Sequence, residues 1–536
     1  MINITNHKQE LLFDPWSHIS PKRRQILELS WAGLFRKDIL CELPVKELAP
    51  FFNNDFGRPS KELHTVIGVL ILQQTHDMTD AETVQQLAFN LQWQYALNIS
   101  EESDSAKYMS LKTLWSMRSI VLANGLETTV FESITDKLAS VFNVNTDKQR
   151  IDSVHIQSDM SRLGRIGIFS KTISKFLVNL KRGHKDMFAT VKQSIIDKYQ
   201  SEKSLSCFSM VKPSESKKKL ADVASDLYNL VREFAANTKV KAMHSYKLLE
   251  RVLKEQCNLN ATDKEKPVEI KKPKEIPSDS LQNPSDPDAT YSGHKGQGYK
   301  VQVMETYTET SDVQEKALTL NLITYVETEK ACQSDAKALI PAIESVEKRG
   351  LGAKEVGADS LYGSDDNIET AKLSGVEVVA PTMGARKSKE VTLADFEFSD
   401  DGHIVSCPRG NKPDVSNEND GRFTQGFCPV TCAGCPCVDG CPVKAGKKYY
   451  YLRYNSKEMR LARRRQYEQT DEFKDRYRWR AGSEATMSEF DRRTGVKHLR
   501  VRGFKAVRYC AALKAVGINL FRAAAVRRAT DFCLQV

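Results

Sequence analysis

The sequence predicts an α/β protein built from several parts, and three observations carry that expectation. Residues 355–380 run strand, acid, turn, helix, strand: Glu355-Val-Gly-Ala-Asp359-Ser-Leu-Tyr-Gly363-Ser, a helix from Asp365 to Leu373, then Val376 to Ala380. Arg150-Ile-Asp152-Ser-Val-His-Ile156 is short, apolar and β-branched, which is strand composition. Long stretches elsewhere repeat apolar residues at helical spacing. A chain of 536 residues exceeds what one core organises, so two to four domains are expected. With 40% hydrophobic and 28% charged residues, the composition is that of a soluble globular protein. The net charge of +10 favours a polyanionic partner. The start, Met1-Ile-Asn-Ile-Thr-Asn-His-Lys, lacks the pattern of a secretion signal, and the longest apolar run, Val66 to Leu72, is too short to span a bilayer. A cytoplasmic protein without a membrane partner is expected.

Residues 1 to about 145 read as a helical domain, suited to DNA binding or dimerisation or simply to packing. Pro21 to Leu40 is apolar at helical spacing through Ile26, Leu29, Trp31, Leu34 and Phe35. Gly57-Arg58-Pro59-Ser60 forms a turn, with Ser60 as cap of a buried helix from Glu62 to about His76. Asp80 to Leu91 and a segment opening at Ser110 add further helices.

The strand Arg150–Ile156 opens the next part, residues 146–400. Asp152 lies inside it, where a carboxylate requires a partner, a metal or an edge. His155 falls on the opposite strand face. Residues 162–260 form a helical insertion, with Leu163, Ile166, Phe169, Ile173 and Phe176 on one face. Residues 262–288, rich in Lys, Pro, Glu, Ser and Asp, read as a linker or exposed loop. Tyr291 to Met304 runs from a glycine-rich turn into a strand; Leu318 to Val326 is a second strand and Asp335 to Arg349 a helix. Asp359 stands at the end of the strand 355–358, the place where ligand groups gather in α/β sheets. Asp365 and Asp366 suit the N-terminus of the helix that follows.

Asp475 to Phe490 reads as one helix, with Tyr477, Arg480 and Glu484 on a shared face. Asp152, Asp359 and Glu484 therefore stand in chain order as three acids: in a strand, at a strand end and on a basic helix. Carboxylates converging in this way hold Mg²⁺ or Mn²⁺, and a pair of such ions serves phosphodiester chemistry.

At these positions the chain resembles the DDE transposases of bacterial insertion sequences. The matching pieces are Ile151-Asp152-Ser153, Asp286-Pro-Asp288-Ala with Gly293-His-Lys-Gly-Gln-Gly-Tyr299, Ala358-Asp359-Ser-Leu-Tyr362-Gly, Tyr477-x-x-Arg480-x-x-x-Glu484, Arg500-Val-Arg502-Gly503 and Asn519-Leu-Phe-Arg522. The resemblance implies a ribonuclease-H-like catalytic core with a helical N-terminal domain, a helical insertion and a cysteine-rich insert. It implies Asp152, Asp359 and Glu484 as the catalytic, metal-holding acids. It also implies Tyr477 and Arg480 on the phosphate backbone, double-stranded DNA as partner, and a homodimer or higher oligomer on that DNA. One departure stands out: the family often places Lys seven residues after the glutamate, and here that residue is Asp491. A DNA-binding protein without catalysis and a metal-dependent nuclease without strand transfer are the alternatives.

Residues 401–445 hold six of the twelve cysteines: Cys407, Cys428, Cys432, Cys435, Cys437 and Cys441. Zinc on Cys407, Cys432, Cys435 and Cys441 would organise the insert; reduced structural cysteines are the other reading. Residues 446–536 close the chain. They hold a strand-like run Tyr449–Tyr454, a basic helix with Arg460, Arg463, Arg464 and Arg465, the cations Arg500 and Arg502, and a buried final helix marked by Val507, Cys510, Leu513 and Val516. The arginines 463–465, with Arg500 and Arg502, are candidate DNA contacts.

Overall fold

The computed structural model describes the chain apart from residues 1, 10–11, 54–55, 58, 201–211, 213, 261–266, 385–390 and 536. Arg58 of the expected turn and the first residues of the expected linker thus lie outside the described residues.

A six-stranded sheet organises the molecule. Its strands are β1 (Lys148–Gln157), β2 (Thr290–Ser292), β3 (Gly296–Thr306), β4 (Ile323–Lys330), β5 (Glu355–Gly357) and β6 (Glu377–Val379). Their order is β4–β3–β1–β5–β6, with β2 beside the start of β3. β3 runs antiparallel to β1 and β4, whereas β5 and β6 run parallel to β1. β3 is buried along its whole length. Gly298 belongs there because an added Cβ would meet the Ile156 carbonyl oxygen at 2.0 Å.

The helical front does not stand apart from this sheet. Helices α1 (Leu63–Thr75) and α2 (Leu126–Val141) pack against α5 (Phe504–Gln535), which in turn covers β4. One hydrophobic core runs from Trp16 through the sheet to Val526. α5 is long and apolar enough to cross a membrane by composition, but 83% of its most apolar window is buried inside the fold. Val507, Cys510, Leu513 and Val516 are buried as their spacing predicts. Asn519, fully buried, accepts from the Ile323 N–H and donates to the Ile323 carbonyl, both at 2.8 Å, and so completes the edge of β4.

Several boundaries differ from the sequence reading. Glu62, not Ser60, caps α1: its carboxylate accepts from the backbone of His64 and Thr65, while the Ser60 hydroxyl accepts from Asn3. The segment 318–326 splits into the end of a helix, Val313–Leu318, and the start of β4. The expected linker is only partly a linker. Val268–Ile270 pairs with Cys257–Leu259, and Leu281, Asn283 and Asp286 are buried. Asp286 explains that burial: it accepts from Ser158 Oγ, Tyr299 Oη and Gly503 N, tying the ends of β1 and β3 to the start of α5. Prolines and charges conceal such a hub in sequence.

The helical insertion has a core of its own around Phe169, Phe176, Leu227, Tyr246 and Leu249. The cysteine-bearing region does too, with Phe396, Phe423, Phe427, Leu452 and Tyr454. Its sheet includes Tyr450–Asn455 paired antiparallel with Arg422–Phe427, so the unit reaches beyond the 401–445 expected for it.

Candidate active site

Register brings the first two acids together. Arg150 of β1 pairs with Gly357 of β5 in parallel, and continuing that register by two residues sets Asp152 beside Asp359. Each carboxylate is oriented locally. Asp152 accepts from the Ser153 N–H at 2.8 Å, and Asp359 accepts from the Leu361 N–H at 2.8 Å. Tyr362, fully buried, donates to Gln302 of β3 at 2.6 Å and pins the turn after Asp359.

The third element covers the same face of the sheet as two helices. Helices α3 (Asp471–Arg478) and α4 (Gly482–Thr494) are separated by a tight turn at Trp479–Ala481. The single helix expected over 475–490 is therefore broken, and Tyr477, Arg480 and Glu484 do not share one continuous helical face. The cause is Arg150, whose guanidinium donates to the Trp479 carbonyl at 2.9 Å. It fills the space over Gly482, where a Cβ would lie 2.0 Å from Arg150 Nη1.

The break drops Arg480 onto the acid pair. Its guanidinium donates to Asp152 Oδ2 at 2.9 Å and lies 3.9 Å from Asp359 Oδ2. Burial pushes the Asp152 carboxyl above its ordinary range; Arg480 and the Ser153 N–H oppose that and Asp359 adds to it. Tyr477 sits near enough for both acids to act on it, and burial chiefly raises its phenol. Glu484 is exposed and has no ion pair or hydrogen bond among the described residues. The carboxylates of Asp152, Asp359 and Glu484 do not all lie within 4.8 Å of one another. Asp159, the nearby competitor, is exposed, and His155 is on the other strand face with its Nε2 buried and unpartnered.

Sequence reasoning missed a second acid cluster two residues back on the same face of β1. Glu305 of β3, 2% exposed, meets Arg150 at 2.7 Å, Arg522 at 2.9 Å and the Thr486 hydroxyl at 2.5 Å. Arg522 also holds Glu489, which takes Arg493 as well. The pairing of Arg150 opposite Glu305 in the β1–β3 register is the signal that reveals it.

The candidate DNA-binding arginines divide by partner. Arg463 donates to the Ser399 and Asp400 carbonyls, Arg464 to those of Gly363 and Ala380, and Arg465 to Thr382 Oγ1 at 3.4 Å. Arg500 pairs with Asp77 at 2.8 Å. Arg502 is exposed with no intramolecular partner among the described residues.

Cys407, Cys432, Cys435, Cys437 and Cys441 line one cavity of about 40 Å³. No three of their sulfurs lie within 4.8 Å of one another. Burial first, and then the neighbouring Cys407, Cys441 and Cys435, together raise the Cys432 thiol to about 11. Burial is also the largest cause of the rise at Cys441. The Arg409 guanidinium lies 3.6 Å from Cys437 Sγ.

Comparison with known proteins adds two findings. A family model described as a transposase DDE domain matches residues 406–524, which hold Arg480 and Glu484 but neither aspartate. A second, described as a transposase domain (DUF772), matches residues 37–119 of the helical front. No curated protein and no solved structure matches. The chain is thus similar to transposase domains over two separate segments, one in the helical front and one in its last third.

Proposed function

We propose that the protein cuts the ends of an insertion sequence and joins them to target DNA, with Asp152, Asp359 and Glu484 as its catalytic acids. The observation that carries this reading is the pair Asp152–Asp359, set side by side by register and sharing one guanidinium. The strand order β4–β3–β1–β5–β6 with three antiparallel and then two parallel members supports a ribonuclease-H-like core. In that reading water attacks the phosphodiester at the element end and releases a 3′-hydroxyl. That hydroxyl then attacks a phosphodiester of the target, one P–O bond forming as another breaks, with no covalent enzyme intermediate.

The donor set fits hard divalent cations: two adjacent carboxylates with Arg480 as their one ion-pair partner among the described residues, and Glu484, on the neighbouring helix, without a partner there. Bound magnesium or manganese ions would activate the attacking oxygen and stabilise the leaving one. Asp152 and Asp359 hold their oxygens rigidly through the N–H groups of Ser153 and Leu361. Arg480 and Tyr477 border the site and would receive the scissile phosphate. Arg500 and Arg502 extend the cationic surface, while Arg463, Arg464 and Arg465 seat the helix Ser456–Tyr467 through their carbonyl and hydroxyl contacts. Zinc on Cys407, Cys432, Cys435 and Cys441 would have to draw these sulfurs together, since no three of them lie within 4.8 Å of one another, and would relieve the mutual repulsion of their ionised forms.

The test is end cleavage and joining on a donor DNA of defined ends. Asp152→Asn, Asp359→Asn and Glu484→Gln should each reduce cleavage by about 10³-fold or more, because the acids act as a unit. Asp159→Asn and Glu489→Gln should keep it. Full cleavage by all three primary variants would overturn the assignment, and cleavage without joining in the unaltered protein would favour a plain nuclease.

A further inference from the structure

The arm before α1 crosses that helix's first turn at a cluster for which the proposed chemistry has no use. His7, Glu62 and His64 each offer one donor atom, and the three atoms lie within 4.8 Å of one another. Among the described residues no other set of three His, Cys, Asp or Glu side chains is gathered so closely. Glu62 Oε1 is 2.8 Å from His64 Nδ1 and 3.7 Å from His7 Nε2. These separations bracket the edge of a zinc tetrahedron, about 3.3 Å for bonds of about 2.0–2.1 Å. All three side chains are largely buried, at 7%, 14% and 8% exposure.

His7 supplies an independent observation. Its Nε2 is buried and has no hydrogen-bond partner, a costly state for a polar atom. Its Nδ1 has only a long contact, 3.4 Å, with Asn98. The imidazole thus points an unsatisfied nitrogen at a carboxylate too distant for a hydrogen bond. The two rings stand edge to face, 88° apart with centroids 4.9 Å apart. Glu62 is itself oriented, accepting from the backbone of Thr5, His64 and Thr65.

We propose that His7, Glu62 and His64 bind one divalent cation of the zinc class, which staples the amino-terminal arm to the first turn of α1. Two imidazoles and one carboxylate select zinc or cobalt over magnesium. The site is separate from both the acid pair and the cysteines, and two of its ligands lie within the matched segment 37–119. Its consequence is local: the arm is held in place when metal is bound and released when it is removed.

The test uses the full chain and Co²⁺ or Zn²⁺ as probe. A Cys435→Ser/Cys441→Ser chain, lacking two thiol donors, should still retain Co²⁺ without a thiolate charge-transfer band, and adding His7→Ala should lower the content by one Co²⁺ per chain. Lys8 is exposed, with 65% of its side chain open to solvent, so trypsin reads the arm directly. At zinc about ten times its Kd, cleavage after Lys8 should slow about tenfold in the unaltered chain and not at all in His7→Ala. Lys8 cleavage needs no cysteine variant to fold, and His64→Gln should behave as His7→Ala does. Lys8 cleavage unaffected by zinc in the unaltered chain would overturn the proposal. So would a Co²⁺ content that His7→Ala leaves unchanged.

Discussion

Two acid–arginine clusters sit on one face of the sheet, two residues apart along β1, and they differ in how completely charge is matched. At the Arg150 cluster, Glu305 has two guanidiniums and a hydroxyl, and Glu489 shares one of those guanidiniums and adds Arg493. At the Asp152 cluster, Arg480 is the one ion-pair partner of the two carboxylates among the described residues, Lys295 acts on Asp152 only more weakly, and Glu484 has no partner among the described residues. The titration directions follow. Burial would raise the Glu305 carboxyl, yet Arg522 and Arg150 outweigh it and the carboxyl is lowered. Burial raises Asp152, and Arg480 does not bring it back. A saturated cluster is a fastener, whereas an undersaturated one has room for a further cation.

The comparison can be broken first at the fastener. Glu305→Gln leaves Arg150 without its counter-charge and Arg522 with Glu489 alone, and should cost about 3–5 kcal/mol, read by chemical denaturation. A variant as stable as the parent would show that the cluster does not hold α4 and α5 to the sheet. The sign of the pH effect also separates the two. Glu305, with its lowered pKa, contributes stability present above its unfolded pKa and lost as pH falls through the folded value. Protonated Asp152, with a raised pKa, contributes stability present below its unfolded pKa and lost as pH rises through the folded one.

A smaller effect is expected at Arg480. Arg480→Ala should cost about 1–3 kcal/mol by removing a charged hydrogen bond from a partly buried pair, and added Mg²⁺ should restore more stability to this variant than to the parent. Equal Mg²⁺ responses in a thermal melt would argue against a cation site between the aspartates. The same reasoning extends to the surface cations, where the effect is smallest. Arg502→Ala should flatten the salt dependence of DNA affinity by about one unit of slope. Arg464→Ala, which loses two carbonyl acceptors, should lower the melting temperature more than the slope.

Much of this was legible in the sequence. The strand around Asp152, the acid at the end of β5 and the helix Asp365–Leu373 emerge from period, β-branching and turn chemistry, which are local signals. Glu484 could be chosen from a resemblance but not from physics, because Glu489 stands on the same helix with the same composition around it. What separates them is Arg522, from a distant helix, which ties up Glu489 and leaves Glu484 open. The break at Trp479–Ala481 was equally hidden, since its cause, Arg150, lies more than three hundred residues earlier. The buried Asp286 was masked by a composition that reads as linker. In each case the missing information was a long-range partner, not a propensity.

Asp152→Asn, measured for both melting temperature and end cleavage, tests the central claim most directly. The substitution keeps the shape and removes a charge that burial disfavours and Arg480 does not fully offset. If Asp152 is kept ionised for catalysis at a cost to stability, the variant should melt no lower than the parent and should lose end cleavage in Mg²⁺. A variant that melts lower as Glu305→Gln does, or that still cuts at the parent's rate, would contradict the account and return Asp152 to the structural fasteners.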